Sequence, residues 1–185
     1  MRVITGSARG RKLIAPEGMD VRPTTDKVKE AVFSAIQFDI EGACVLDLFA
    51  GSGQMGIEAL SRGAKRAVFV DNSQKALRCV NNNLRSTALE RYADVVNRDS
   101  YDYIKHINRK FDIIILDPPY RYNHINNILP FVSPKLNDGG FVICEYESDS
   151  EIDIIPDELK LKKTYRYGKI NITILYKDSA EEVQL

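Results

Sequence analysis

From residue 44 onward, short continuous apolar runs alternate with segments whose apolar residues recur every three or four positions. Residues 44–49 (Cys-Val-Leu-Asp-Leu-Phe) form the first run and end in Ala50-Gly51-Ser52-Gly53, the pattern of a strand followed by a glycine turn. Residues 54–62 predict a helix that stops at Gly63. Further strands are predicted at 67–70, 93–96, 111–116 and 141–146. Ser73, a fair N-cap, precedes Leu77, Val80 and Leu84 at helical spacing, and another helix is predicted over 100–107. Continuous runs predict strands buried on both faces, and strand–helix repetition predicts a doubly wound sheet. After residue 158, residues 161–167 and 170–176 alternate around Gly168 and predict an antiparallel hairpin. The expected class is therefore α/β, with a seven-stranded, mostly parallel sheet.

Ahead of this core, residues 2–14 predict a small hairpin, and a helix is predicted after Pro23 with an N-cap in Thr24-Thr25-Asp26. Val28, Ala31, Val32, Ala35 and Ile36 form its apolar face, leaving Lys27 and Lys29 off it. The 185 residues suit one domain: a basic hairpin and helix (1–40), a core (41–177) and a tail (178–185).

Composition removes several classes. Lys+Arg and Asp+Glu both number 26, so the net charge of zero excludes a strongly basic coat protein and an acidic disordered one. No apolar run approaches the ~18 residues of a membrane helix, and the N-terminus lacks a signal-peptide pattern. Three widely spaced cysteines without a C-x-x-C argue against disulfides and zinc, so a cytoplasmic monomer with reduced thiols and no metal is expected. Charge is nonetheless uneven. Residues 1–16 carry four bases (Arg2, Arg9, Arg11, Lys12) and no acid, and 145–158 carry seven acids and no base. Lys160, Lys162, Lys163, Arg166 and Lys169 follow, read as an edge hairpin.

Gly51-Ser52-Gly53-Gln54-Met55-Gly56 fits G-x-G-x-x-G between a strand and a helix, so backbone N–H groups can meet an anion. Asp71, ending the second strand, is placed to accept hydrogen bonds from ribose hydroxyls. Nicotinamide dinucleotide and S-adenosylmethionine both fit this much. Asp47 leans toward the second, because a carboxylate there repels a pyrophosphate yet can hold an ammonium. Asp99 can either bind an adenine amine or cap the helix that follows.

Asp117-Pro118-Pro119-Tyr120 closes the fourth strand, a tetrapeptide expected by chance in roughly one such chain per thousand. Two prolines make a rigid extended turn where α/β sheets bind ligands. The exocyclic amine of a nucleobase is conjugated and poorly nucleophilic. Methylating it requires acceptors for both N–H protons, which the Asp117 carboxylate and the Pro118 carbonyl can supply. Tyr120 can stack on a base swung out of its helix. His106 reads as structural, and His124 as a possible pocket residue.

These residues resemble the RsmD family of bacterial ribosomal RNA guanine-N2 methyltransferases over about residues 1–177. The resemblance lies in Arg2-Val3-Ile4-Thr5-Gly6 with Arg9-Gly10-Arg11-Lys12-Leu13, in residues 22–30 (Arg-Pro-Thr-Thr-Asp-Lys-Val-Lys-Glu), in residues 47–53 and in Asp117-Pro118-Pro119-Tyr120. Thr5, where glycine is more usual, and the region after Tyr120 with Pro130 depart from the family pattern. The resemblance implies a Rossmann-like class I methyltransferase fold, S-adenosylmethionine as donor and a guanine of small-subunit (16S) ribosomal RNA as substrate. It places Asp47, Phe49, Gly51, Ser52, Gly53, Asp71, Asn72, Asp99 and Ser100 at the cofactor, and residues 117–120 at the base. It places Arg9, Arg11, Lys12, Arg22, Lys27 and Lys29 at the RNA. The competing readings are an adenine-N6 methyltransferase, a nicotinamide-dependent oxidoreductase and a non-catalytic ribosome-assembly factor.

Overall fold

The computed structural model describes residues 1–16, 25–119 and 124–179. Seven strands, β1 (Cys44–Asp47), β2 (Arg66–Asp71), β3 (Ala93–Asn97), β4 (Phe111–Leu116), β5 (Leu136–Glu147), β6 (Leu159–Tyr167) and β7 (Ile170–Lys177), form one sheet in the order 3-2-1-4-5-7-6. The first five run parallel and β7 inserts antiparallel between β5 and β6. Helices α1 (Asp26–Ala35), α2 (Gln54–Ser61), α3 (Gln74–Thr87), α4 (Ser100–His106) and α5 (His124–Val132) accompany it.

Two apolar clusters sandwich the sheet, as the continuous runs predict. Val45, Phe69, Ile113, Ile115 and Ile143 face one cluster; Leu46, Val68, Ile114, Leu116 and Cys144 face the other. Side chains alternate across a strand, so residues in register share a face. Edge strand β6 is mostly exposed, its lysines pointing to solvent where a further strand would otherwise add. Cys79 and Cys144 are buried, Cys44 is half-buried, and all three are free thiols.

The N-terminal arm forms the expected small hairpin: Arg2 bridges Lys12 antiparallel, and the Val3, Gly10 and Leu13 N–H groups donate to the Arg11, Val3 and Met1 carbonyls at 3.0, 2.9 and 3.0 Å. The hairpin is also fastened to the core. Fully buried Glu58 on α2 accepts the Ile4 and Thr5 N–H groups at 2.8 and 3.1 Å, and Arg62 Nε donates to it at 2.8 Å. Ser7 N–H donates to the Ser61 carbonyl at 2.8 Å. Gly6, at φ 87°, passes so close that a Cβ there would lie 1.7 Å from that same oxygen.

Helix α1 corrects the expected face. Val28, Lys29, Val32 and Phe33 are buried, whereas Ala31 and Ala35 are only partly covered. Lys29 is fully buried. Its ammonium donates to the Arg2 carbonyl and lies 3.9 Å from Asp26, and burial lowers its proton affinity, partly offset by Glu58 and Asp26. The arm covers it, so Lys29 cannot serve as a phosphate contact. Helix α5 was not expected, and it accommodates Pro130.

Candidate functional site

The carboxyl ends of β1, β2 and β4 lie side by side, since Asp47 pairs in register with Phe69 on one side and Ile115 on the other. Beyond β1 the chain turns through Gly51 (φ 53°) and Gly53 (φ 76°), and Gly53 occupies the N-cap of α2. Left-handed backbone at both positions favours glycine. Gly56 is required for space: a Cβ there would lie 2.4 Å from the Phe69 ring and 3.2 Å from Asp47 Oδ2.

Asp71 braces this loop. One of its oxygens accepts the Gly51 N–H at 2.9 Å and the other the Ser73 N–H at 2.8 Å. Each oxygen keeps a second lone pair, so a ribose hydroxyl can still donate to it. Asp47 is 3% exposed and accepts the Gly56 N–H at 3.0 Å. Burial pushes its carboxyl up to about 7; the Gly56 N–H opposes the rise and the charge of Asp71 adds to it. A buried carboxyl of this kind is primed for a cationic neighbour. At the start of α2, buried Gln54 Oε1 has no partner among the described residues.

The other expected cofactor residues divide. Ser52 is buried and its carbonyl accepts from Asn83 Nδ2 at 2.9 Å. Phe49 is half-buried, its ring 6.4 Å from that of His124. Asn72 and Asp99 are exposed; Asp99 caps α4 by accepting the Asp102 N–H at 3.0 Å. Ser100 is buried and donates to the Leu48 carbonyl at 2.5 Å, which ties α4 to the end of β1.

Asp117 follows β4, two residues beyond the partner of Asp47. Burial raises its carboxyl well above the usual range, with the nearby charges of Glu145 and then Asp47 adding to the effect. Glu145, buried at the end of β5, was missed by the sequence reading because it opens the acidic run and reads as solvated. The pairing Leu116–Cys144 places it beside Asp117. Pro118 is buried and Pro119 exposed; Tyr120 lies outside the described residues. A shallow groove runs beyond these strands, lined by Pro118, Pro119, His124, Glu145 and Ile152 among others. His124 Nδ1 lies 3.3 Å from the Tyr101 hydroxyl. His106, by contrast, meets Asp102 of its own helix.

Of the expected RNA contacts, Arg9, Arg11, Lys12 and Lys27 are exposed, and none pairs with a carboxylate among the described residues. Arg22 lies outside the described residues. Among those residues no cluster of three or more His, Cys, Asp or Glu could hold a metal, and no helix is long and apolar enough to cross a membrane.

Similarity to known proteins spans nearly the whole chain. A Bacillus subtilis (strain 168) protein, provisionally named as an rRNA methyltransferase, is 38% identical over 96% of this chain and 99% of its own. Ribosomal RNA small subunit methyltransferase D of Haemophilus influenzae is 32% identical, covering 92% of this chain and 91% of its own. A solved Escherichia coli structure superposes with TM-score 0.85 at 28% identity, covering 97% and 99% of the two chains. The chain belongs to the family described as conserved hypothetical protein 95, which matches residues 1–176 and is the RsmD family suggested by the basic arm and the Asp-Pro-Pro-Tyr motif.

Proposed function

We propose that this protein transfers a methyl group from S-adenosylmethionine to the exocyclic N2 amine of a guanine in small-subunit ribosomal RNA. One observation carries the reading: the glycine loop and the Asp117-Pro118-Pro119 turn leave adjacent, directly paired strands, β1 and β4. The residues at the loop fit the donor. Backbone N–H groups at the start of α2 suit its carboxylate, the Asp47 carboxylate its ammonium and Asp71 its ribose hydroxyls. The missing Cβ of Gly56 leaves room for Asp47 to reach the backbone of the first turn of α2.

When bound, S-adenosylmethionine supplies an electrophilic methyl on a sulfonium. The chain positions the nucleophile. Asp117 and the Pro118 carbonyl accept the amine protons and draw its lone pair out of conjugation, while Tyr120 is assigned a stacking role. The methylated amine is acidic enough to lose its proton without a strong base. With zero net charge, attraction to RNA is local, and the exposed Arg9, Arg11, Lys12 and Lys27, together with Arg22, are its proposed source. A ribosomal substrate places the reaction in the cytoplasm.

Nucleoside mass spectrometry of small-subunit RNA, from a strain lacking the gene and complemented with wild type or Asp117→Ala, tests this. Loss of one N2-methylguanosine, restored only by wild type, is expected. Loss of a methyladenosine instead would overturn guanine as the target. In vitro, Asp117→Ala should lower turnover on the order of a hundredfold or more and leave S-adenosylhomocysteine binding largely intact.

A further inference from the structure

Both ends of the basic hairpin converge on the middle of the glycine loop. Ser52 Oγ lies 3.6 Å from Met1 Sδ, and the Leu13 N–H donates to the Met1 carbonyl, which brings Ile14 to the same place. One side chain of α3 fastens these pieces together. Asn83, 1% exposed, donates from Nδ2 to the Ser52 carbonyl at 2.9 Å and to the Ile14 carbonyl at 3.0 Å, and its Oδ1 accepts the Ile14 N–H at 2.9 Å. The Cys79 thiol adds a weaker bond to the Ile14 carbonyl at 3.2 Å. Three consecutive asparagines, 81–83, stand in α3, and only the third is buried.

The chemistry of this clasp admits few residues. It needs two N–H donors and one acceptor on a short side chain, which asparagine supplies and aspartate, without an N–H, does not. An apolar residue would leave the Ser52 carbonyl and the Ile14 N–H short of a partner. The clasp also acts where the cofactor is proposed to bind. The Ser52 carbonyl and the Gly53 N–H belong to one peptide: Asn83 holds the first, and the second donates to the Ala50 carbonyl at 2.6 Å. That peptide leads directly into Gln54, where α2 begins, so its orientation aims the N–H groups that suit the cofactor carboxylate. If the arm lifts, Asn83 loses the Ile14 N–H and one of its two carbonyls, and its amide is free to turn away from Ser52. A docked arm and a formed loop therefore favour one another.

We propose that Asn83 is a positioning residue that couples the two substrates: it ties the docking of the basic arm to the shape of the Ser52 peptide, so RNA and cofactor each tighten the binding of the other. This rests on the arm as the RNA contact, and the test separates the two. Calorimetry with S-adenosylhomocysteine, and fluorescence anisotropy with a small-subunit RNA fragment containing the identified target nucleotide, are each run with and without the other ligand. In the wild type each ligand is expected to bind about fivefold or more tightly when the other is saturating, by the same factor in both directions. Asn83→Ala should bring that factor to within about twofold. A merely structural role would weaken the separate affinities and leave the factor intact, and direct contact between base and cofactor would likewise survive the substitution. A factor retained by Asn83→Ala therefore overturns the proposal, as does a factor of one in the wild type. Hydrogen exchange at the Ile14 amide needs no variant to fold. Asn83 holds that hydrogen, so saturating S-adenosylhomocysteine should slow its exchange about fivefold, and an unchanged rate would refute the coupling. Normal RNA binding after neutralisation of Arg9, Arg11 and Lys12 would overturn the placement of the RNA, and this proposal with it; arm-dependent binding without coupling would overturn this proposal alone.

Discussion

Asp47→Asn gives the most direct access to the electrostatics of the cofactor loop. In the folded protein the Asp47 carboxyl titrates at about 7 against an ordinary value of 3.8, mainly because it is buried. The native state therefore holds a proton on Asp47 that the unfolded chain releases between about pH 4 and 7, and stability falls as pH rises through that window and is flat above it. Integrating between the two values gives a loss of roughly 2 kcal/mol by pH 5 and roughly 4 kcal/mol by pH 8. Asparagine keeps an acceptor for the Gly56 N–H, now 3.0 Å from Oδ2, and does not titrate. Any fixed cost of fitting its amide group is the same at both pH values and cancels. Relative to wild type, the variant should thus gain roughly 2–3 kcal/mol on going from pH 5 to pH 8, or about 5–10 °C in melting temperature for a chain of this size. Urea unfolding at the two pH values measures it. A wild-type-to-variant gap that stays constant with pH would show that Asp47 ionises normally in the fold and that the argument from burial is wrong.

Three further outcomes are expected. Asp71→Ala removes the acceptor for the Gly51 and Ser73 N–H groups, and calorimetry with S-adenosylhomocysteine should show binding weaker by roughly 1.5–3 kcal/mol. Gly56→Ala forces a methyl group to within 2.4 Å of the Phe69 ring and should cost about 1–3 kcal/mol in denaturant unfolding. Neutralising Arg9, Arg11 and Lys12 together should weaken RNA binding and flatten its salt dependence by about one unit of slope per lost phosphate contact, without changing S-adenosylhomocysteine affinity. If instead Lys160, Lys162 and Lys163 are the residues whose neutralisation abolishes binding, the RNA lies on the opposite side.

What was legible in the sequence followed from burial on both faces of the sheet. The run Phe111–Leu116 is a strand from end to end because its one polar residue, Asp112, stands near the start and four apolar residues follow it. Strand β5 begins earlier than expected because Asn137, Asp138, Gly139 and Gly140 read as a turn, whereas the pairing skips from Phe111–Leu136 to Ile113–Phe141 across them. Lys29 misled for a different reason. Periodicity counts a lysine as solvent-facing, and only the docked arm, with the Arg2 carbonyl set to receive the ammonium, makes its burial possible. Glu145 was hidden in a run of acids, and pairing of β5 with both β4 and β7 is what covers it. Around the site, the glycine loop and the proline turn could be read because glycine and proline act through the backbone. The brace from Asp71 to Gly51 spans 20 positions and depends on how β1 and β2 pair.

The place of β7 has a consequence for how the chain assembles. The last strand among the described residues is an interior one, with Ile172, Ile174 and Leu175 fully shielded between β5 and β6. A growing chain that has emerged only as far as β5 therefore presents a long, apolar, unpaired sheet edge, which can close only after residues 170–177 arrive together with β6 as a hairpin. Completion of the sheet thus waits for residues 159–177, and the interval between the emergence of β5 and of that hairpin is when this protein is most exposed to mispairing with other nascent chains.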